Sequence, residues 1–124
     1  MKIFVTGSSG FIGFHLSKKL LEKGHNVYGF DSMNRYYDVK LKKSRNKILK
    51  KYKKYLFTKG KLENYRILNN IIMKFKPNVI IHLAAQAGVR YSIEKPRTYL
   101  DSNIIGTYNI IDLAKKINVK HLLI

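Results

Sequence analysis

Apolar residues fall along this chain in short unbroken runs that alternate with longer stretches spaced three and four apart, the pattern of strands exchanging with helices. The first run, in Lys2 to Thr6, reads as a strand. From about Phe11 to Lys23 the spacing turns helical, with Phe11, Ile12, His15, Leu16, Leu20 and Leu21 roughly on one face and Gly24 as the stop. Asn26 to Phe30 is a second strand. Tyr37 to about Tyr52 carries a partial stripe of Val39, Leu41, Ile48, Leu49 and Tyr52 among lysines, which predicts a helix with a heavily charged outer face. Tyr55 to Thr58 is a third strand, closed by Gly60. A helix follows from about Glu63 to Phe75, with Ile67, Leu68, Ile71, Ile72 and Phe75 inward, and Pro77 ends it.

Asn78 to Leu83 is nearly continuous in apolar residues, as befits a strand buried on both faces of a parallel sheet. Small residues and a loop through Glu94 lead to a long helix from about Pro96 to Ile117, which carries Leu100, Ile104, Tyr108, Ile111 and Ala114 at helical spacing. Val119 to Ile124 starts a fifth strand. The order is βαβαβαβαβ, which predicts an α/β fold: a Rossmann-type doubly wound parallel sheet, truncated in the fifth strand. Residues 1–124 are expected to form one partial nucleotide-binding domain with no second, substrate-holding domain.

Composition narrows the setting. There is no cysteine, which excludes disulfides and thiolate metal sites, and no metal-ligating cluster is expected. A charged Lys2 precedes a short apolar strand rather than a leader, and no run approaches the roughly 20 residues of a membrane span. The expectation is a cytoplasmic protein. The 25 basic residues against 7 acidic give a net charge of +18, and Lys40 to Lys61 holds 11 basic residues in 22 without an acid. Lys, Ile and Asn together make 45 of the 124 residues, as an A+T-rich coding sequence favours, so a lysine-coated surface is one reading. Steering of an anionic ligand and binding of nucleic acid are the others.

The chemistry sits in the first turn. Gly7, Gly10 and Gly13 lie between a strand and a helix, where a pyrophosphate is held by free helix N–H groups. Gly7 is expected to let the chain turn, Gly10 to let the backbone approach the phosphates, and Gly13 to let helix pack on strand. Asp31 ends the second strand 18 residues beyond Gly13, near the separation at which an acid meets the adenosine ribose. A carboxylate there repels a 2′-phosphate and argues for NAD over NADP.

With TGSSGFIG at Thr6 to Gly13, Asp31, HLAA at His82 to Ala85 and SNIIGTYNI at Ser102 to Ile110, the chain resembles the N-terminal part of an extended short-chain dehydrogenase/reductase. The stretches NRYYDVKLKKSR (Asn34 to Arg45) and AAQAGVRYSIEKP (Ala84 to Pro96) are similar to nucleotide-sugar epimerases of the UDP-glucuronate 4-epimerase kind. That resemblance implies NAD as cofactor, a nucleotide sugar of the UDP-uronate class as the full-length family's substrate, and homodimers paired through the long helix and the one after it. It implies pyrophosphate contacts from Phe11 and Ile12, ribose contacts from Asp31 with Ser32, and a nicotinamide half lined by Leu83, Ala84, Ala85 and Ala87. Asn103 would approach the cofactor from the long helix. Arg90 and Ser92 would face the sugar nucleotide.

Two departures accompany it. Where the family usually places an aspartate after strand three, this chain has Lys61, which leaves adenine to the backbone of Leu62. The family's Tyr-x-x-x-Lys pair and its Ser or Thr belong beyond strand five. Tyr36 with Lys40, Tyr55 with Lys59 and Tyr91 with Lys95 have that spacing, but they fall in the insertion, a strand and a loop. No catalytic residue is therefore expected, and the chain alone is expected to be inactive. A non-catalytic nucleotide-binding module and a basic nucleic-acid-binding protein are the alternative readings.

Overall fold

The computed structural model describes residues 1–124. The strands are β1 (Lys2–Thr6), β2 (Asn26–Asp31), β3 (Tyr55–Lys59), β4 (Val79–His82) and β5 (His121–Leu123). Between them lie α1 (Phe11–Glu22), α2 (Val39–Leu49), α3 (Tyr65–Phe75) and α4 (Val89–Glu94). A final helical stretch comprises α5 (Pro96–Tyr99), a π-helical segment (Leu100–Ile105) and α6 (Gly106–Lys116). All strand pairs are parallel, in the order β3-β2-β1-β4-β5. The winding reverses at β1, which pairs Ile3 with Val27 on one side and with Val79 on the other. A crevice therefore opens above the C-terminal ends of β1 and β4.

Because side chains alternate across a strand, the sheet supports two cores. Phe4, Phe30 and Ile80 point to one face, where Leu68 and Ile72 of α3 and Ile110, Leu113 and Ala114 of α6 cover them. Ile3, Val5, Val27 and Ile81 point to the other, against Phe14 and Leu21 of α1, Leu49 of α2 and Tyr55. α3 keeps its expected face. Asn64 caps it by accepting from the Ile67 N–H at 3.3 Å, and Lys76 in a left-handed conformation (φ 50°) ends it before Pro77.

Three expected faces are corrected. In α1 the buried residues are Gly13, Phe14, Ser17 and Leu21, while Phe11 and Ile12 are 67% and 66% exposed and His15 is exposed. The reason is steric: Gly13 lies so close to the glycine turn that it sets the helix rotation, and the first turn overhangs the crevice. In α2 the inward residues are Lys42, Asn46 and Leu49, and Leu41 and Ile48 are exposed. The helix is also shorter than Tyr37 to Tyr52, beginning after Asp38, whose side chain accepts from the Lys40 N–H at 2.8 Å.

In the long helix Leu100, Ile104, Tyr108 and Ile111 face out, and Gly106, Asn109, Ile110, Leu113 and Ala114 face in. A period of 3.6 counted through a π segment drifts out of phase, because each π turn takes in an extra residue. Gly106 fixes the inward side, since a Cβ there would lie 2.5 Å from the Leu62 Cβ. The stretch expected as a loop through Glu94 contains α4, which buries none of its residues and so left no apolar period to detect.

These faces make opposite forecasts for neighbouring residues. In urea denaturation, Ile110→Ala is expected to cost about 2–5 kcal/mol, and Tyr108→Lys to change stability by less than about 0.5 kcal/mol. A large loss from Tyr108→Lys would restore the stripe to the core.

Candidate functional site

The crevice is a cleft of about 1030 Å³ whose floor is the turn between β1 and α1. Gly7 adopts φ +71°, and its N–H donates to the Phe30 carbonyl at 2.7 Å. A side chain there would also collide with β4's exit, its Cβ lying 2.9 Å from the Ala84 nitrogen. At Gly13 a Cβ would stand 2.0 Å from the Gly7 carbonyl oxygen, so helix and turn touch backbone to backbone. Gly10 is the N-cap of α1, and no side chain caps the helix. The first N–H groups of α1 are thus left unpaired at its positive end, with Gly10, Phe11, Ile12 and Gly13 all lining the cleft. This cradle fits a pyrophosphate.

One wall is built by the end of β2. Asp31 is 5% exposed, yet it lines the cleft. Its Oδ2 accepts from the Ser9 N–H at 3.1 Å and its Oδ1 from the Met33 N–H at 2.8 Å. Met33 turns back with φ 54° to make that bond. The Lys42 ammonium stands 3.6 Å from Oδ1 and 3.5 Å from the Asn34 amide oxygen. Arg45 donates to the Ser9 carbonyl at 3.3 Å and lies over the Phe11 ring. Ser32, Lys59, Lys61 and Leu62 also line this end. The Leu62 side chain belongs to the core, and its carbonyl accepts from the Asn109 amide at 2.9 Å.

The other wall is the exit from β4, where Leu83, Ala84, Ala85 and Ala87 line the cleft with Gln86. A buried relay holds it. Thr6 Oγ1 accepts from the N–H groups of Leu83 and Ala84, each at 3.1 Å, so its own proton is free for His82 Nδ1 at 2.7 Å. His82 therefore accepts at Nδ1 and donates from Nε2 to Thr107 Oγ1 at 2.9 Å, a neutral tautomer fixed by its neighbours. Burial lowers its pKa below the ordinary histidine value.

Asn103 works on the same wall. Its Oδ1 accepts from the Gln86 N–H at 2.7 Å and its Nδ2 donates to the Gln86 carbonyl at 3.0 Å, so its amide pins the loop while its neighbours Asp101 and Ser102 line the cleft. Arg90 and Ser92 stand on α4 outside that lining: the Arg90 side chain is 95% exposed and paired with Glu94 at 3.9 Å, and Ser92 donates to the Val89 carbonyl.

Of the three Tyr-x-x-x-Lys matches, Tyr55 is buried beneath α2 and donates to Asn46 Oδ1 at 3.1 Å. Burial pushes its pKa up to about 12, the opposite of what a proton-accepting tyrosinate needs. Tyr36 packs on Tyr37 and Tyr91 at the cleft mouth. Lys42, Arg45, Met33 and Gln86 were not anticipated in the site. A spacing of four between Lys42 and Asn46 and three more to Leu49 was available as a signal, but the charge on Lys42 spoke for solvent.

The family model described as GDP-mannose 4,6 dehydratase matches residues 4–123. Protein CapI of Staphylococcus aureus is 52% identical over 123 residues, 99% of this chain and 36% of its own length. A probable UDP-glucuronate 4-epimerase of Rhizobium meliloti is 48% identical over 124 residues, 100% of this chain and 36% of its own. The chain thus spans little more than a third of these curated relatives. Among solved structures, the Bacillus cereus UDP-glucuronic acid 4-epimerase in complex with UDP-glucuronic acid and NAD superposes with a TM-score of 0.89 at 31% identity, over 98% of this chain and 38% of that one. The Thermotoga maritima UDP-glucose 4-epimerase with UDP-glucose gives a TM-score of 0.84 at 32% identity, over 98% and 36%.

The His82 relay makes stability depend on pH. Its folded-state pKa lies below the unfolded one, so the unfolded chain takes up the proton first. The contribution is complete above the ordinary histidine range near about 6.5 and is lost as pH falls through it. Urea midpoints are expected to fall between about pH 8 and about pH 5, and the slope to be shallower in His82→Asn. An equal slope in both proteins would remove His82 as the source of that pH dependence.

Proposed function

The chain belongs to the GDP-mannose 4,6 dehydratase family, and from that membership we propose that it is the NAD-binding portion of a nucleotide-sugar epimerase of the UDP-glucuronate 4-epimerase kind. The observation that carries the proposal is the uncapped N-terminus of α1 set on the Gly7–Gly13 contact, open to a cleft closed by Asp31 on one side and by Leu83 to Ala87 on the other. In this reading the N–H groups of Phe11 and Ile12 hold the pyrophosphate, Asp31 accepts from the ribose hydroxyls, and Ala84, Ala85 and Ala87 leave room for the nicotinamide. NAD supplies a reversible hydride acceptor for a sugar carbon. The chain's own part in this reading is to bind and orient it: Tyr55 is buried with a raised pKa, and Tyr36 is packed on Tyr37 and Tyr91. A cytoplasmic location, an isomerase reaction on a UDP-uronate in the longer protein, and pairing of two copies through the outward residues Leu100, Ile104, Tyr108 and Ile111 belong to the same proposal.

Titration calorimetry is expected to show NAD binding to the 124-residue protein, and Gly10→Val to abolish it without loss of the thermal unfolding transition, because a branched side chain would stand where the phosphates approach. Retained affinity would remove the cradle from the reading. Incubation with NAD and UDP-glucuronate is expected to yield no UDP-galacturonate, since acid–base catalysis is worth about 10²–10⁴ in rate and the three Tyr-x-x-x-Lys matches fall in the insertion, a strand and α4. Turnover lost on Tyr36→Phe, Tyr55→Phe or Tyr91→Phe would show that one of those tyrosines is catalytic after all.

A further inference from the structure

The ribose end of the cleft holds a charge arrangement that neither the glycine turn nor the carboxylate explains. Asp31 is placed to exclude a 2′-phosphate, yet its carboxylate already carries a partner cation, and that cation is itself buried: Lys42 is 9% exposed and lines the same cleft. Taking a lysine out of water and freezing its four-carbon stem is costly, so what its ammonium does there matters. It stands 3.6 Å from Asp31 Oδ1 and 3.5 Å from Asn34 Oδ1, long contacts to both, which leaves donor capacity unused. Asp31 does not depend on it for position, because the N–H groups of Ser9 and Met33 already hold both oxygens. Arg45 adds a second cation on the Ser9 carbonyl and pairs with no carboxylate. The sum over Asp31, Lys42 and Arg45 is one positive charge where a negative one would be needed to repel phosphate.

We infer that Lys42 sets the discrimination between NAD and NADP. Asp31 favours the free ribose hydroxyls, while Lys42 cancels its charge and turns toward a 2′-phosphate when one enters, so NADP is only weakly excluded. The inference rests on the proposal that the cleft binds the dinucleotide.

The test is titration of the whole protein with NADH and with NADPH, followed by their fluorescence at one fixed salt concentration because such contacts are screened. The unmutated protein is expected to prefer NADH by about tenfold or less. Lys42→Met, which keeps the stem and drops the charge, is expected to widen that preference by about another tenfold through NADPH alone, and Lys42→Arg, whose guanidinium also pairs with phosphate, to leave it no wider. Thermal melts report whether each variant is folded. Equal weakening of both dinucleotides by Lys42→Met would make the lysine a mere prop for Asp31. An unmoved ratio, or a hundredfold preference in the unmutated protein, would also overturn the inference and leave the proposed function standing. Failure of NADH itself to bind would bring down both.

Discussion

The contact on which the rest of this structure depends is between two backbones. The Gly7 carbonyl occupies the place where a Cβ of residue 13 would be, at 2.0 Å. No other residue type permits it, and several features follow from its being permitted. α1 is rotated so that Phe14, Ser17 and Leu21 enter the core, its first turn projects over the crevice, and the turn itself is pressed against the start of the β4 loop at Ala84. Helix orientation, cleft floor and the junction of the two halves of the sheet are set by one close approach.

Around that contact the walls are held by backbone groups rather than by side chains alone. Asp31 is fixed by two N–H donors, Thr6 receives two more from the β4 exit, and the Asn103 amide clasps both backbone groups of Gln86. Side chains that satisfy backbone polar groups in this way cost little net free energy when paired and much when unpaired. The cleft is therefore shaped before any ligand arrives. That is the condition under which a ligand loses least in ordering its site.

The strands were legible because parallel, doubly covered strands concentrate apolar residues, and Val79 to His82 or Ile3 to Val5 fit no other element. The glycine turn and Asp31 were legible because each demands a residue type at a set distance. What escaped notice has two physical causes. Helix faces were inferred from apolarity, whereas α1 is oriented by Gly13, α6 by Gly106, and α2 by Lys42 and Asn46, residues chosen for size or pairing. Elements that bury little, such as α4, have no periodic constraint on their sequence, and the π segment breaks the α-helical period of the last helix. Lys42 is the sharpest case, since a charge in a lysine-rich helix is ordinarily outside and here is inside because a carboxylate awaits it.

The position of β1 at the centre of the sheet also governs how the site comes into being. Its partnership with β2 closes a short loop, with Lys2 opposite Asn26, but its partnership with β4 joins residues 76 apart, as Thr6 and His82 are. Long closures carry more entropy to overcome before any contact rewards them. A chain leaving the ribosome can complete β1, α1 and β2 while Ala84 is still unsynthesised. The glycine turn then has one wall and no opposite one until Leu83 to Ala87 have been made, so the floor of the cleft precedes its far wall.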